Sequence, residues 1–240
     1  MLDSGAATDR RAFAAAAAAT FEDAAPAYVV RWALQRFGRG RVAIACSFGG
    51  PSGMALIDMA IAIDPKVTIV YIDTGVLFPE TYALVQRVSA HYGIEPVAVR
   101  PGISMDEQAR AFGAALWRRD PDLCCTLRKI APQRAMLNGF AAWVTGLRRD
   151  QSEARSTTPV VQWDDRFGLY KVNPLARWSE RDVWRYVREH DVPYNELHDR
   201  GYPSIGCTHC TAPVGESETL RAGRWRGFEK TECGLHGGRA

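Results

Sequence analysis

The chain has 240 residues, enough for one α/β domain with a modest appendage and a packed core. Apolar residues make up 47% and charged residues 24% of the chain, which excludes global disorder. The formal net charge of +3 is too small for a protein that coats nucleic acid or an anionic membrane. The chain also lacks an apolar run of about 18 residues, the minimum for a transmembrane helix.

The N-terminus contains an alanine run at 14–19, but Thr20, Glu22 and Asp23 follow where a signal peptide would be cleaved. We therefore expect no export signal and a cytoplasmic protein. Residues 1–25 are predicted to be a poorly ordered Ala-rich leader. Residues 26–200 are predicted to form a nucleotide-binding α/β domain, and 201–240 a C-terminal segment packed on or closing over it.

Hydrophobic periodicity predicts helices and short apolar strands that alternate along the chain. Ser104 with Glu107, and Ser179 with Asp182, predict capping boxes at two helix starts. A helix opened by Asp120 and Pro121 is predicted to carry the Cys124–Cys125 pair. In chain order the prediction gives helix 27–37, strand 42–46, helix 54–63, strand 67–72, a helix from 79, strand 96–99, a helix after 104, a helix from 120, strand 142–145, strand 169–172, a helix after 179 and a long loop from 193.

This alternation predicts an α/β fold with a single doubly wound, mostly parallel sheet and helices on both faces. Ligands of such sheets bind at the carboxyl ends of the strands. Three polar loops leave strand ends, at 47–53, 73–75 and 146–152. Their backbone amides, together with Arg148 and Arg149, suit phosphate or sulfate oxygens. A plain Gly-rich turn and a solvated charge run are the alternative interpretations.

Six cysteines are too few for a disulfide scaffold, and their spacing favours metal or thiol chemistry. Cys124 and Cys125 are adjacent, and Cys207 and Cys210 form a Cys-x-x-Cys pair. Four thiolates suit either zinc or an iron–sulfur cluster. Adjacent cysteines share one ion awkwardly but can each take a different iron, so the spacing favours the cluster. His209 is interpreted as a bystander and Cys46 as a small buried hydrophobe.

Cys233 lies in a glycine-rich stretch near the C-terminus. Lys230 and His236 lie close to it in sequence and favour the thiolate, which is the nucleophilic form of cysteine. We therefore interpret Cys233 as a candidate nucleophile. The alternative is a stray exposed thiol.

Together these motifs resemble the family of assimilatory adenylyl-sulfate and phosphoadenylyl-sulfate reductases. The Cys-Cys and Cys-x-x-Cys set is similar to the cluster-bearing adenylyl-sulfate branch, and the terminal motif resembles that family's catalytic cysteine. The resemblance covers most of 42–238 in the family's order. Its motifs are Ser47-Phe48-Gly49, Asp73-Thr74-Gly75 with Phe78-Pro79-Glu80-Thr81-Tyr82, Cys124-Cys125-x-x-Arg128-Lys129, Gly146-x-Arg148-Arg149-Asp150-Gln151-Ser152, Cys207-x-x-Cys210 and Glu232-Cys233-Gly234-Leu235-His236.

The resemblance implies reductive cleavage of adenosine 5′-phosphosulfate to sulfite and AMP in sulfate assimilation and cysteine biosynthesis. It implies an S-sulfocysteine on Cys233 and reduced thioredoxin, or a glutaredoxin-like protein, as donor. It assigns Cys233, Lys129 and His236 to catalysis and a [4Fe–4S] cluster to Cys124, Cys125, Cys207 and Cys210. It assigns substrate binding to Ser47, Phe48, Gly49, Asp73, Thr74, Gly75, Arg148, Arg149, Arg221 and Arg224.

The chain departs from the family at 50–53, where Gly-Pro-Ser-Gly replaces a loop that often carries an acidic residue. Three alternatives stay open: a reductase for the 3′-phosphorylated substrate, an ATP pyrophosphatase of the tRNA-thiolating type, and a non-catalytic iron–sulfur redox sensor. No nucleic-acid or membrane partner is expected. Whether the chain forms a homo-oligomer is left open.

Overall fold

A computed structural model describes residues 4–236, with side chains described from residue 8 onward. Six short strands form one sheet. They are β1 (Val42–Ala45), β2 (Thr68–Ile72), β3 (Val97–Val99), β4 (Ala142–Thr145), β5 (Val161–Asp164) and β6 (Leu169–Val172). Their order is β3-β2-β1-β4-β6-β5. The pairs β1–β4, β4–β6 and β2–β3 are parallel, and β5–β6 is antiparallel. The predicted, mostly parallel fold class is confirmed.

Nine α-helices connect or flank these strands in the described part of the chain. They are α1 (Ser4–Phe21), α2 (Pro26–Phe37), α3 (Pro51–Ile63), α4 (Pro79–Tyr92), α5 (Met105–Phe112), α6 (Leu116–Arg119), α7 (Pro121–Cys125), α8 (Ala131–Leu137) and α9 (Glu180–Glu189). A wide π-helical turn, Thr126–Ile130, separates α7 from α8. Over residues 4–236, none of the helices combines the length and apolarity needed to cross a membrane.

Two helices begin at the predicted capping boxes. Ser104 Oγ accepts a hydrogen bond from the Glu107 N–H at 3.1 Å, and the Glu107 carboxylate accepts one from the Ser104 N–H at 2.7 Å. The same reciprocal pairing links Ser179 and Asp182 at the start of α9. Each box satisfies amide donors that a helix start leaves without intrahelical partners.

The chain divides into two compact units, whose limits differ from the predicted divisions at 25 and 200. The first unit takes in the chain up to Cys46, Pro51–Ile69 and Leu137–Val192, and contains β1, β4, β5 and β6. The second unit takes in Ser47–Gly50, Val70–Met136 and the chain from Pro193, and contains β3 and most of β2. All predicted site residues except Arg148 and Arg149 belong to the second unit.

The prediction of a poorly ordered leader is wrong for residues 4–21, which form helix α1; residues 1–3 lie outside the described residues. Helix α1 packs on β5, with Ala14 and Ala17 buried. The Phe13 ring lies 5.3 Å from the Tyr170 ring, edge to face. Alanine has the highest helix propensity, and its small side chain allows close packing without a wide apolar stripe. A search for such a stripe therefore missed the helix.

The sequence analysis also missed strand β5. It has only four residues, and its burial does not alternate cleanly, because both end residues are buried and both central residues are intermediate. It pairs with β6 in an antiparallel hairpin. Gly168, just before β6, has a φ of 70°, which a glycine adopts without steric cost.

The packing of α1 can be tested with one substitution at two positions. Ala17 is 7% exposed, whereas Ala16 is exposed. Ala17→Asp is expected to lower the free energy of unfolding by about 1–3 kcal/mol, because it buries a polar group that lacks a hydrogen-bond partner. Ala16→Asp controls for helix propensity and is expected to change it much less. Urea denaturation followed by circular dichroism measures both, and equal effects would show that α1 does not pack as described.

Candidate active site

The second unit begins with the loop that leaves β1. Ser47 Oγ accepts a hydrogen bond from the Gly49 N–H at 3.3 Å. Phe48 has a φ of 53°, in the left-handed region that bulky residues rarely occupy. Its side chain is fully buried, and its ring meets the Tyr71 ring edge to face at 5.3 Å. Such strain persists only where the surroundings impose it, and it is common at functional loops.

A segment distant in sequence holds this loop in place. Asn195 Nδ2 donates hydrogen bonds to the Phe48 carbonyl and to Thr81 Oγ1, each at 3.0 Å. A Cβ added to Gly49 would lie 2.7 Å from the Ile205 carbonyl oxygen, so glycine is required there. Asn195 Oδ1 also accepts a hydrogen bond from the Leu197 N–H at 3.1 Å, which caps a short 3₁₀ turn. Sequence analysis did not identify Asn195, because its contacts with Phe48 and Thr81 come from tertiary structure.

Asp73 directly follows β2 and organises the second predicted loop. Its buried carboxylate accepts hydrogen bonds from Tyr82 Oη at 2.7 Å, from the Gly75 N–H at 3.0 Å and from Arg100 Nε at 3.0 Å. Burial alone would raise the pKa of Asp73, but these donors outweigh burial and lower it. Gly75 has a φ of 74° and turns the chain sharply after the strand.

The buried Arg128 connects this loop to the predicted metal ligands. Its Nε donates to the Thr74 carbonyl at 2.7 Å, and its Nη1 donates to Gln108 Oε1 at 3.2 Å. Gln108, also buried, donates from Nε2 to Cys124 Sγ at 3.8 Å. The Cys207 thiol contacts Thr74 Oγ1 at 3.3 Å. One network thus joins Cys124 and Cys207, which are far apart in the sequence. Sequence analysis did not identify Gln108 as part of this network.

The four cysteines predicted as ligands line one cavity. All six cysteines are free of disulfides, and Cys46 is buried away from the cavity lining. Over residues 4–236, no three Cys, His, Asp or Glu side chains converge as ready ligands of a single ion. The cavity is lined by Val76, Met105, Trp117, Cys124, Cys125, Arg128, Lys129, Cys207, His209 and Cys210.

Three of these thiols are held in an environment that disfavours the thiolate. Burial raises the pKa of Cys124 and of Cys125, and it raises the pKa of Cys210 to about 12. The electrostatic interaction with nearby Cys207 adds to the rise at each of them. Such thiols lose their protons readily only when a positively charged metal is bound.

Lys129 is buried in the wide turn between α7 and α8. Such π turns are frequent at functional sites. Burial alone would lower the pKa of Lys129, but Cys207, Cys233 and Cys125 outweigh burial and raise it. The Lys129 side chain is therefore an ammonium cation at neutral pH. It interacts electrostatically with the cavity cysteines and with Cys233.

The pKa of the predicted nucleophile, Cys233, is shifted in the opposite direction from those of the cavity cysteines. Cys233 is half-buried. Burial alone would raise its pKa, but Lys129, the Leu235 backbone N–H and Arg224 outweigh burial and lower it. Lowered pKa and partial exposure are the conditions for a reactive cysteine. His236, also assigned to catalysis, follows three residues later and is partly buried.

Three cations of the C-terminal segment lie close to the Trp225 ring. Its ring centre lies 4.4 Å from the Arg224 guanidinium, 5.4 Å from Lys230 Nζ and 5.9 Å from the Arg221 guanidinium. Arg221 also donates to the Glu232 carboxylate at 3.3 Å. Trp225 Nε1 is buried and has no hydrogen-bond partner among residues 4–236.

Arg148 and Arg149 belong to the first unit, and both have carboxylate partners there. Buried Arg148 donates from Nε to the Asp150 carboxylate at 2.8 Å and also contacts Ser52 Oγ. Arg149 donates to both carboxylate oxygens of Glu22, at 2.6 and 2.9 Å. Their assignment to the substrate stays a prediction. His209, interpreted as a bystander, stacks on Trp117 with 4.0 Å between ring centres.

Comparison with known proteins gives a consistent family. The phosphoadenosine phosphosulfate reductase domain matches residues 41–213. An adenosine 5′-phosphosulfate reductase of Salinibacter ruber is 45% identical over 223 residues, covering 92% of this chain and 88% of the relative. One of Staphylococcus haemolyticus is 48% identical over 209 residues, covering 87% and 85%. The chain therefore belongs to the phosphoadenosine phosphosulfate reductase domain family, and the predicted resemblance is confirmed.

Solved structures agree on the fold. A phosphoadenylyl-sulfate reductase from Candida auris superposes with a TM-score of 0.71 at 37% identity, covering 81% of this chain and 94% of that one. An FMN adenylyltransferase from Candida glabrata gives a TM-score of 0.56 at 16% identity, covering 86% and 73%. The second likeness concerns the fold alone.

The lowered pKa of Cys233 can be tested by alkylation. Lys129→Met removes the positive charge that stabilises the thiolate, so the pKa of Cys233 is expected to rise. The variant should react more slowly with iodoacetamide at neutral pH and recover at alkaline pH. Peptide mass mapping gives the rate at Cys233. Arg87→Met removes an exposed cation that pairs with Glu196, and it should leave the profile unchanged. An unshifted Lys129→Met profile would contradict the described electrostatics.

Proposed function

We propose that the protein is an adenylyl-sulfate reductase, which cleaves adenosine 5′-phosphosulfate reductively to sulfite and AMP in sulfate assimilation. One observation carries the proposal: Cys233, with a lowered pKa, lies in the electrostatic field of Lys129 and Arg224. This is the arrangement that a thiolate needs to attack an anionic sulfate group. The relatives named adenosine 5′-phosphosulfate reductase, at 45–48% identity, support the substrate.

Cys124, Cys125, Cys207 and Cys210 would hold a [4Fe–4S] cluster. Two features of the donor set fit this group. The thiols line one cavity, and they are free of disulfides. Zinc is the alternative. The thiols line a cavity instead of meeting at one point, which suits a cluster whose irons each take one thiolate.

The reaction begins at Cys233. Its thiolate attacks the sulfate sulfur, and an S–S bond forms as the bond from sulfur to the phosphate oxygen breaks. AMP leaves with the electron pair of that bond, and Cys233 becomes S-sulfocysteine. A dithiol donor of the thioredoxin type then attacks the Cys233 sulfur and releases sulfite. Its second thiol resolves the mixed disulfide, which supplies the two electrons.

Lys129 and Arg224 are the cations best suited to the substrate oxygens. Over residues 4–236, neither has a carboxylate within ion-pair distance, whereas Arg148, Arg149 and Arg221 each have one. Positive charge at the sulfate lowers the repulsion between two anions in the transition state. A bound cluster would supply a fixed charge near this site. Arg128 and Gln108 hold its ligand segments against the Asp73–Gly75 loop.

A second candidate substrate is the 3′-phosphorylated sulfonucleotide. The family domain and the Candida auris structure are named for it. The four cysteines favour the unphosphorylated substrate, because they characterise the cluster-bearing branch that the sequence resembles. We place the reaction in the cytoplasm, where a reducing environment suits free thiols such as these. A sulfite-release assay on both nucleotides, with reduced thioredoxin, decides the substrate.

The metal assignment can be tested by paired alanine variants. Anaerobically purified protein should contain iron and sulfide in a ratio that fits [4Fe–4S]. Cys207→Ala is expected to lose most of the iron, because one of four ligands is gone. Cys46→Ala controls for the loss of a buried cysteine and should keep it. Stoichiometric zinc in place of iron would refute the cluster.

The nucleophile can be tested without any reductant. With adenosine 5′-phosphosulfate alone, about one AMP per active site should appear in a burst, because Cys233 can be sulfonated only once. The intact protein should gain the mass of one SO₃ group, which peptide mapping should locate on Cys233. Reduced thioredoxin should then remove this mass and release sulfite.

Cys233→Ser provides the matched control. It should keep its iron and bind nucleotide but show neither burst nor adduct, because a serine hydroxyl is scarcely ionised at neutral pH. A burst from the serine variant, or an adduct on Cys46, would rule out Cys233 as the nucleophile.

A further inference from the structure

Lys230 lies three residues before Cys233 and has an unusual environment for a lysine. Its side chain is only 6% exposed, although the residues from Arg226 to Glu229 are all exposed. Even the apolar Phe228 is 41% exposed in this stretch. Burying an ammonium while an adjacent phenylalanine faces water reverses the usual preference. The segment must therefore be held in this orientation by a specific interaction.

The interaction is an ion pair with Asp122. Asp122 lies in α7, two residues before the predicted ligand Cys124, and its side chain is 50% exposed. Lys230 Nζ also lies 5.4 Å from the centre of the Trp225 ring. The pair thus joins residues that are 108 positions apart in the chain. It connects the Cys233 segment to the helix that carries the cavity cysteines.

Residues 226–236 contain neither helix nor strand, so side-chain contacts contribute to the position of the segment. Arg221 donates to the Thr231 carbonyl at 2.8 Å and to Glu232, ten and eleven residues away. Arg226 donates to the Pro213 carbonyl at 2.9 Å. The ion pair of Lys230 with Asp122 adds a contact to α7.

We infer that Lys230 and Asp122 are positioning residues, whose ion pair holds Cys233 beside Lys129 for attack on the substrate. A buried ammonium without its partner is unfavourable, so loss of the Asp122 charge disfavours the docked segment. Loss of the Lys230 charge removes the attraction between the segment and α7. Because Asp122 is half exposed, solvent weakens the pair. The segment can therefore separate from α7 when a thiol donor has to reach the sulfonated Cys233.

The inference rests on the proposed function for its effect on the reaction, but its structural part can be measured without substrate. Hydrogen–deuterium exchange of the peptide containing Cys233 reports on attachment of the segment in the cluster-loaded protein. Lys230→Met keeps the apolar stem and removes the charge, and Asp122→Asn removes the partner. Each should raise exchange about three- to tenfold, the range for losing a partly exposed ion pair with one buried member. Arg226→Met removes an exposed cation from the same segment and should not.

The AMP burst separates positioning from general damage. Both variants should slow the burst to the extent that they lower the docked fraction of the segment, with iron unchanged. Sulfite release by dithiothreitol from already sulfonated protein should not slow, because this step does not need the docked segment. The double variant Asp122→Lys with Lys230→Asp restores opposite charges and should recover much of the burst rate.

Unchanged exchange in Lys230→Met would overturn the inference, as would raised exchange with a normal burst, or a charge-swapped variant no better than the single ones. If Asp122→Asn loses iron, Lys230→Met alone decides the outcome. Raised exchange together with no burst from the unsubstituted protein would refute the proposed function and leave the attachment role standing.

Discussion

The buried ammonium of Lys129 is the charge on which the second unit depends. It interacts electrostatically with Cys125 and Cys207, which line the cavity, and with Cys233. These three sulfurs raise the pKa of Lys129 despite burial. Without this cation, the charge of a Cys233 thiolate would be less favourable, because burial opposes it. One side chain thus interacts electrostatically with both the cavity sulfurs and the proposed nucleophile.

The cysteines show how one residue type takes two chemical roles through its surroundings. Burial is the main cause that raises the pKa of Cys124, Cys125 and Cys210. These thiols therefore suit a metal that displaces their protons. Cys233 is lowered in pKa because Lys129, Arg224 and a backbone N–H outweigh burial. The difference arises from the number of donors and cations that reach each sulfur, which depends on segments far apart in the sequence.

Local patterns were sufficient to predict much of the fold. The capping boxes at Ser104 and Ser179 are confirmed, and strand β4 forms at the predicted residues. The alanine helix α1 and the short strand β5 were missed, because one lacks an apolar stripe and the other lacks alternation. The four cysteines predicted as ligands line one cavity, and their role as metal ligands stays a prediction. Gln108, Asn195 and Asp122 could not be predicted, because each acts through a partner at least sixteen positions away.

The cations of the second unit differ in whether a carboxylate pairs with them. Arg221 and Lys230 meet carboxylates in the C-terminal segment, whereas Lys129 and Arg224 have none within ion-pair distance over residues 4–236. A buried cation without a fixed anion is costly, so such a site favours a ligand that brings its own negative charge. A phosphosulfate carries charge on both its sulfur and phosphorus oxygens. Under the proposed function, a bound phosphosulfate would bring negative charge to these two cations.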